Sequence, residues 1–246
     1  MADPGWTRPY WAPGGGDAFV FFAVFGPSPT ALEISSERHR VDELPATLEI
    51  DHQPPEVASS LLAPPLGDQV LAHWTGAPRD ALVADGCTIL RGTVPDAADL
   101  LYLRNTIGII TALLEAGGRA VLSLQSLGLH TEETWIKTIF LPDAPQPRRH
   151  VVVLSTDLPD GTWLHTRGMR LFGRPDISVR SVPEDALPLA VELVHRFIEA
   201  QAFGLVIPEG QPVHVEGTPD GMATHHAGDL DDPDFNNVHV ELQWPR

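Results

Sequence analysis

The chain has 246 residues, of which 43% are hydrophobic and 20% are charged, a composition typical of a folded globular protein rather than a disordered one. Sixteen basic residues against 33 acidic ones give a formal net charge of −17 and a pI near 4.8. Such a surface repels phosphate backbones and anionic lipids, so we expect no nucleic-acid or membrane binding. A basic protein partner would suit this charge, but acidity is also a common route to solubility.

The first half of the chain contains several strand candidates. Residues 1–17 mix aromatic residues with proline and glycine, which predicts an irregular N-terminal arm. An unbroken apolar run predicts a buried strand at Ala18–Phe25. Shorter strands are predicted at 47–50, 69–74 and 120–124.

Three helices are predicted in the same half, at 56–62, 96–116 and 132–140. The longest begins after a proline and ends at Gly117-Gly118, which are typical positions for these residue types. Its apolar residues recur at helical spacing, so we expect one buried face. Thr131 is suited to cap the third helix.

The second half continues the mixed pattern. Strands are predicted at 150–155, 162–166, 177–182, 212–215 and 238–242. The turn sequence Pro159-Asp160-Gly161 predicts that the first two form a hairpin. Ser181 and Glu184 have the spacing of a capping box, which predicts a helix that runs to about Phe203 and ends at Gly204.

These elements predict an α+β fold with largely antiparallel, mixed sheets and two long covering helices. After the arm at 1–17, residues 18–246 are expected to form a single globular unit. The halves 18–146 and 147–246 share a coarse order of strands, one long helix and a strand, which leaves open a pair of related α/β halves. No residue-level repeat accompanies this order.

Cysteine and lysine usage adds two expectations. Cys87 is the only cysteine, and its position beside a predicted strand is typical of a small core residue rather than a nucleophile. Lys137 is the only lysine, which together with abundant Ala, Gly and Pro indicates a high-GC bacterial genome. The N-terminal segment lacks a basic signal-peptide region and no apolar run is long enough to span a membrane, so we expect a cytoplasmic protein.

Histidines and carboxylates are dense within residues 214–241. Imidazole and carboxylate groups are ligands of zinc, manganese and non-haem iron, so this segment is a candidate divalent-metal site. The candidate ligands are His214, His225, His226, His239 and Glu241. Their spacing matches no specific metal motif, and turn formation with local hydrogen bonding is the alternative for this polar segment.

Four arginines lie within residues 167–180 of this otherwise acidic chain, and they are Arg167, Arg170, Arg174 and Arg180. Guanidinium groups bind carboxylates and phosphates in bidentate geometry, so the cluster could hold a small anion. Alternatively, it could pair with an acidic loop that contains Asp229, Asp231, Asp232 and Asp234. We favour the internal ion pairs, because so acidic a loop would otherwise be hard to order.

Three segments resemble an uncharacterised bacterial family of unknown function. They are TRGMRLFGRPD at 166–176, RFI at 196–198 and DDPDFNN at 231–237. The resemblance implies a bacterial cytosolic protein, but it carries no activity and no catalytic residue.

The sequence contains no nucleophile elbow, Walker loop or dinucleotide-binding fingerprint. Our first hypothesis is therefore a non-catalytic binding or interaction protein with an acidic surface. The alternatives are a metal-dependent hydrolase that uses the C-terminal histidines, and a small-anion sensor that uses the arginine cluster. No cofactor is predicted, and the sequence does not indicate an oligomeric state.

Overall fold

The computed structural model describes residues 4–43 and 46–245. It has an α+β fold with two five-stranded sheets, and its internal contacts divide it into two compact units. The first unit contains the segment ending at Thr7 together with Phe19–Val94 and Asp99–Gln146. The second contains Arg8–Ala18, Pro95–Ala98 and the chain from Pro147 onward. The arm predicted at 1–17 is thus divided between the units, and positions 1–3 lie outside the described residues.

The sheet of the first unit has the strand order β2-β3-β1-β4-β5. The strands are β1 (Ala18–Phe25), β2 (Glu49–Gln53), β3 (Cys87–Val94), β4 (Ala120–Ser123) and β5 (Leu129–Thr131). The pairs β2–β3, β1–β4 and β4–β5 run antiparallel.

Within the described part of this unit, the helices are α1 (Ser36–His39), α2 (Pro55–Leu61), α3 (Leu66–Leu71), α4 (Arg79–Val83), α5 (Leu101–Glu115) and α6 (Glu132–Trp135). The last is capped by Thr131, as predicted, and continues as a π-helical turn, Ile136–Phe140. Leu62 and Leu82 pack with Phe25 and Cys87 in one core cluster. Burial raises the pKa of the Cys87 thiol to about 11, so this cysteine is the inert core residue that its sequence context predicted.

Two predictions in this unit are wrong. The segment 69–74, predicted as a strand, forms the last residues of helix α3 and the turn after it, and Gly67 and Val70 are buried one helical turn apart in that helix. Helix α5 begins at Leu101 rather than at position 96, and it is buried on nearly all sides instead of one. Residues outside the apolar stripe, such as Arg104, Asn105 and Thr106, are polar and nevertheless buried, so the apolar spacing alone predicted a single buried face.

The sheet of the second unit has the order β6-β7-β8-β10-β9. Its strands are β6 (Val152–Leu158), β7 (Gly161–Arg167), β8 (Asp176–Val182), β9 (Thr224–Ala227) and β10 (His239–Gln243). Strands β8 and β10 run parallel, and the other pairs run antiparallel. Helix α7 (Leu187–Ala202) packs against β7 and β8. Short 3-10 helices lie at Pro4–Trp6, Pro147–Arg149, Met169–Phe172 and Glu184–Ala186.

The register of this sheet gathers polar and aromatic side chains on one face. His165 pairs with Ser178, which pairs with Glu241, and Asp176 pairs with His239. Because directly paired residues point to the same side of a sheet, these five side chains share one face. The candidate site is built against the end of this face where β8 and β10 begin.

Two predictions in the second unit are also wrong. Ser181 does not cap a helix: it lies within β8 with a φ of 58°, and its hydroxyl donates to Asp160. The segment 212–215 forms only an isolated bridge between Pro212 and Ala223 rather than a strand. Strand β9, which the sequence analysis did not predict, occupies this edge of the sheet.

Within the described residues, no helix has both the length and the apolar character that a membrane crossing requires.

Candidate functional site

A buried cluster of opposite charges lies in the second unit. The carboxylate of Asp96 accepts hydrogen bonds from Arg8 Nη1 at 2.8 Å and from Arg174 Nη1 at 3.0 Å. Trp11 Nε1 donates to its second oxygen at 3.2 Å. Both arginine side chains are only 1% exposed, so these charges interact with little screening by water. We call Arg8, Asp96 and Arg174 the charge cluster.

The remaining donors of the two arginines bind backbone carbonyls. Arg8 donates to the carbonyls of Ala202 and Phe172, which lie at the end of α7 and in the 3-10 helix Met169–Phe172. Arg174 donates to the carbonyls of Leu205 and Gly204. The charge cluster therefore fastens the arm at 8–18 and the segment 95–98 to the rest of the second unit.

A cavity of about 320 Å³ lies beside the charge cluster. Its wall contains the glycine strip, which we define as Gly14, Gly15 and Gly16, and residues from four other segments. These are Gly173, Arg174, Pro175, Val206, Ile207, His226, Ala227, Gly228, Val238 and His239. The volume is within the range of pockets that hold small molecules.

Glycine is required in this wall for steric reasons. A Cβ added to Gly15 would lie 1.9 Å from Arg174 Nη1, so any larger residue would displace the guanidinium group. Gly173 has a φ of 64°, and a Cβ added to it would lie 2.1 Å from the carbonyl oxygen of Gly16. The same two residues are joined by a hydrogen bond from Gly16 N to Gly173 O at 3.1 Å. The strip thus lies directly against the charge cluster.

His239, at the start of β10, is one of the residues that line the cavity. Its ring stacks on Phe235 at a centroid distance of 4.0 Å. Its Nδ1 is buried and has no hydrogen-bond partner among the described residues. This nitrogen lies against Gly228, where an added Cβ would be 2.7 Å from it. Burial lowers the pKa of His239, although nearby Asp232 opposes the shift, so the ring is neutral at pH 7.

His226 contributes the second imidazole of the cavity wall. Its Nε2 lies 2.9 Å from the carbonyl oxygen of Ile207. A carbonyl only accepts hydrogen bonds, so Nε2 carries the proton and donates. This bond fixes the ring against the segment that contains Val206 and Ile207.

An aromatic row continues from His239 across the sheet face. His165 lies 5.4 Å from Phe235 and stacks on Trp163 at 4.1 Å. The guanidinium of Arg180 lies over the Trp163 ring at 4.6 Å. Burial lowers the pKa of His165, and its Nδ1 is also without a hydrogen-bond partner among the described residues. The row packs the two neutral imidazoles on either side of Phe235.

Asp176 is a fully buried carboxyl group at the start of β8. It accepts hydrogen bonds from the Thr166 hydroxyl at 2.7 Å, the Met169 backbone N–H at 3.2 Å and the Asn237 amide at 2.9 Å. Burial raises the pKa of Asp176 to about 7, although these donors and Arg167 oppose the shift. Asp176 therefore joins β7, β8 and the segment before β10 while keeping its proton near neutral pH.

The predicted arginine cluster does not form one site. Arg167 donates to the backbone carbonyls of Pro233 and Asp234 at 3.0 and 3.2 Å, and Arg170 donates to the carbonyl of Asn236 at 3.4 Å. These bonds reach the acidic loop through its backbone. Arg174 instead binds Asp96, and Arg180 binds Glu241 at 2.6 Å.

The acidic loop itself is organised by its own side chains. Asp229 accepts from the backbone N–H of Asp231 at 2.9 Å, and Asp232 accepts from that of Asp234 at 3.0 Å. These are local turns of the kind that aspartate forms two residues ahead. Together with the two arginines, they hold the loop that carries Phe235 into the aromatic row.

The predicted metal ligands are separated. His225 and Glu241 are paired across β9 and β10, but His225 binds Glu209 at 3.0 Å and Glu241 binds Arg180. His226 and His239 line the cavity, and His214 lies at a different pocket. Across residues 4–43 and 46–245, no three His, Cys, Asp or Glu side chains form a group that could hold a metal ion.

The sequence analysis missed Arg8, Asp96, Asp176 and the glycine strip as site residues. Arg8 and Asp96 are separated by 88 positions and Arg174 and Asp96 by 78, so no local pattern relates them. A usable signal was the run of three glycines in an arm that also contains Trp11.

Comparison of the chain with protein-family models, curated proteins and solved structures finds no match.

We expect Asp96→Asn to lower the free energy of unfolding by about 3 kcal/mol, because two buried guanidinium groups would lose the carboxylate that they share. Urea denaturation followed by near-ultraviolet circular dichroism measures this change. The matched control is Glu192→Gln, which removes an exposed partner of Arg196 on α7 and should cost less than about 0.5 kcal/mol. Equal effects of the two substitutions would contradict the role given to the charge cluster.

The raised pKa of Asp176 leads to a second prediction, which concerns how the free energy of unfolding depends on pH. Its pKa is about 7 when folded, against an ordinary value of 3.8, so between these pH values the folded state binds a proton that the unfolded state has released. Stability from this group is therefore present at low pH and falls as pH rises toward 7.

The difference in unfolding free energy between the native protein and Asp176→Asn, measured from pH 4 to 7, should follow this slope. Asp185→Asn, at an exposed carboxylate of the same unit, should leave the slope unchanged. A carboxyl carbon of Asp176 that titrates near pH 4 by NMR would refute the prediction.

Proposed function

We propose that this chain is a non-catalytic binding protein whose second unit holds a small, uncharged, mostly apolar molecule in the cavity beside the glycine strip. Two observations carry the proposal: His239 is a residue of the cavity wall, and its buried Nδ1 lacks a hydrogen-bond partner among the described residues. A buried polar atom without a hydrogen bond costs about 1–3 kcal/mol, and a ligand that supplies the bond would recover this free energy.

The charge of the lining argues for an uncharged ligand. Among the described residues of the cavity wall, Arg174 is the only arginine or lysine, and its guanidinium already binds Asp96 and the carbonyls of Gly173, Gly204 and Leu205. His239 is kept neutral by burial. An anion placed here would therefore lose its hydration without gaining a free cation.

The apolar side chains of the lining indicate that most of the ligand is apolar. Val206, Ile207 and Val238 line the cavity together with Pro175 and several glycines. A neutral imidazole both donates and accepts hydrogen bonds, depending on its tautomer. A primary amide or an alcohol attached to an aliphatic or ring group matches this combination.

The lack of nucleophilic side chains among the described residues of this wall favours binding over catalysis. Among the described residues that line the cavity, none carries a carboxylate, hydroxyl or thiol side chain. The anion-sensor alternative has less support, because Arg167 and Arg170 are engaged with the acidic loop. The metal-hydrolase alternative has less support, because the described residues contain no group of three ligands.

Cyclohexanecarboxamide and cyclohexanecarboxylate are matched probes, because they share one shape and differ in charge. We expect the carboxamide to shift the methyl NMR signals of Ile207 and Val238 in a saturable manner at pH 7. The carboxylate should bind more weakly by a factor of about 10 or more, since its charge is buried without a partner.

His239→Phe keeps a ring to stack on Phe235 and removes the nitrogen, so it should abolish carboxamide binding. His225→Phe, at an exposed histidine outside the cavity lining, should leave binding unchanged. The proposal fails if the carboxylate binds as tightly as the carboxamide, if neither probe binds, or if His239→Phe retains full affinity.

A further inference from the structure

A second and larger cavity, of about 490 Å³, lies in the same unit between helix α7 and the segment 205–215. We call it the apolar groove. Its lining is dominated by aliphatic and aromatic side chains, including Phe197, Leu205, Val213 and Val215. Leu205 is 41% exposed, so the groove opens to solvent with an apolar rim.

One end of the apolar groove is acidic. A smaller pocket of about 260 Å³ shares Val213, His214 and Val215 with the groove and also contains Glu216 and Asp220. Both carboxylates are exposed, and neither makes an ion pair with a described residue. The nearest acidic neighbour in the chain, Glu209, differs because it already accepts from His225 and from the backbone N–H of His226.

We propose that the apolar groove and its acidic end form a docking site for a basic segment of a partner protein. A bulky aliphatic side chain of the partner fills the groove, and the adjacent arginine or lysine side chains meet Glu216 and Asp220. Glu216 and Asp220 provide charge complementarity at this end of the groove. The net charge of −17 also attracts a basic partner from a distance and so increases the rate of encounter.

The groove recognises side chains rather than adding a strand to the sheet. Pro208 and Pro212 lie on its rim and have no backbone N–H to donate. Thr224, where β9 borders the groove, already bonds through its backbone and hydroxyl to Gly210, Gln211 and Pro208. Strand addition needs a row of free backbone groups, which this border does not offer.

This site differs from the cavity of the proposed function, although Val206 and Ile207 lie in both walls. The groove has no buried, unpartnered imidazole nitrogen among its described residues, and its acidic end is absent from the other cavity. The two proposals therefore fail independently: His239→Phe should remove amide binding and leave peptide binding intact.

Three blocked pentapeptides, ALRRA, ALEEA and ASRRA, test the docking site on the full chain by isothermal titration calorimetry. We expect ALRRA to bind, with an affinity that falls as sodium chloride is raised from 20 to 200 mM. Over this range the Debye length shortens by roughly threefold, so exposed charges are screened more strongly. ALEEA should not bind, since its charges are repelled. ASRRA should bind weaker by a factor of about 10, because it lacks the apolar side chain.

The double substitution Glu216→Gln and Asp220→Asn should weaken ALRRA binding about fivefold, as expected for two exposed ion pairs. The control is Asp231→Asn with Asp232→Asn, which removes the same charge from the acidic loop outside the groove. Circular dichroism confirms that each variant is folded. Equal weakening by both doubles, equal binding of ALEEA, or no binding of ALRRA overturns the proposal.

Discussion

The hydrogen-bonded ion pairs of Asp96 with two buried arginines hold together distant segments of the second unit. A lone carboxylate or guanidinium in so buried a position would be strongly destabilising, so each of the three groups requires the other two. Because Arg8 belongs to the N-terminal arm and Arg174 to the turn before β8, the cluster joins segments that are distant in sequence. It also sets the position of the glycine strip, since Gly15 lies against the Arg174 guanidinium.

Much of the fold is predictable from the sequence where local chemistry and tertiary packing agree. Strand β1 has an unbroken apolar run, the hairpin β6–β7 turns at Pro159-Asp160, and α7 is followed by Gly204 with a φ of 108°. The predictions fail where packing overrides a local signal. The Ser181 motif resembles a helix cap, but an irregularity in the pairing of β7 with β8 holds that residue in a left-handed conformation within the strand.

The site is less predictable than the fold, because it depends on pairs that are far apart in the chain. The sequence analysis selects Arg174 and His239 as candidate site residues, but it predicts other contacts for them than the structure shows. Arg174 is bound to Asp96, where an ion pair with the acidic loop was favoured, and His239 is packed on Phe235. Which histidines are neutral follows from burial, and burial is a property of the folded chain rather than of spacing.

Amide hydrogen exchange tests most directly whether the charge cluster holds the arm and the glycine strip in place. The reporters are Tyr10 N–H, which donates to the Phe203 carbonyl, and Gly16 N–H, which donates to the Gly173 carbonyl. We predict that both are protected in the native protein and that Asp96→Asn removes this protection while the amides of β7 and β8 keep theirs. Rapid exchange of Gly16 in the native protein, or unchanged protection of both reporters in Asp96→Asn, would contradict the account.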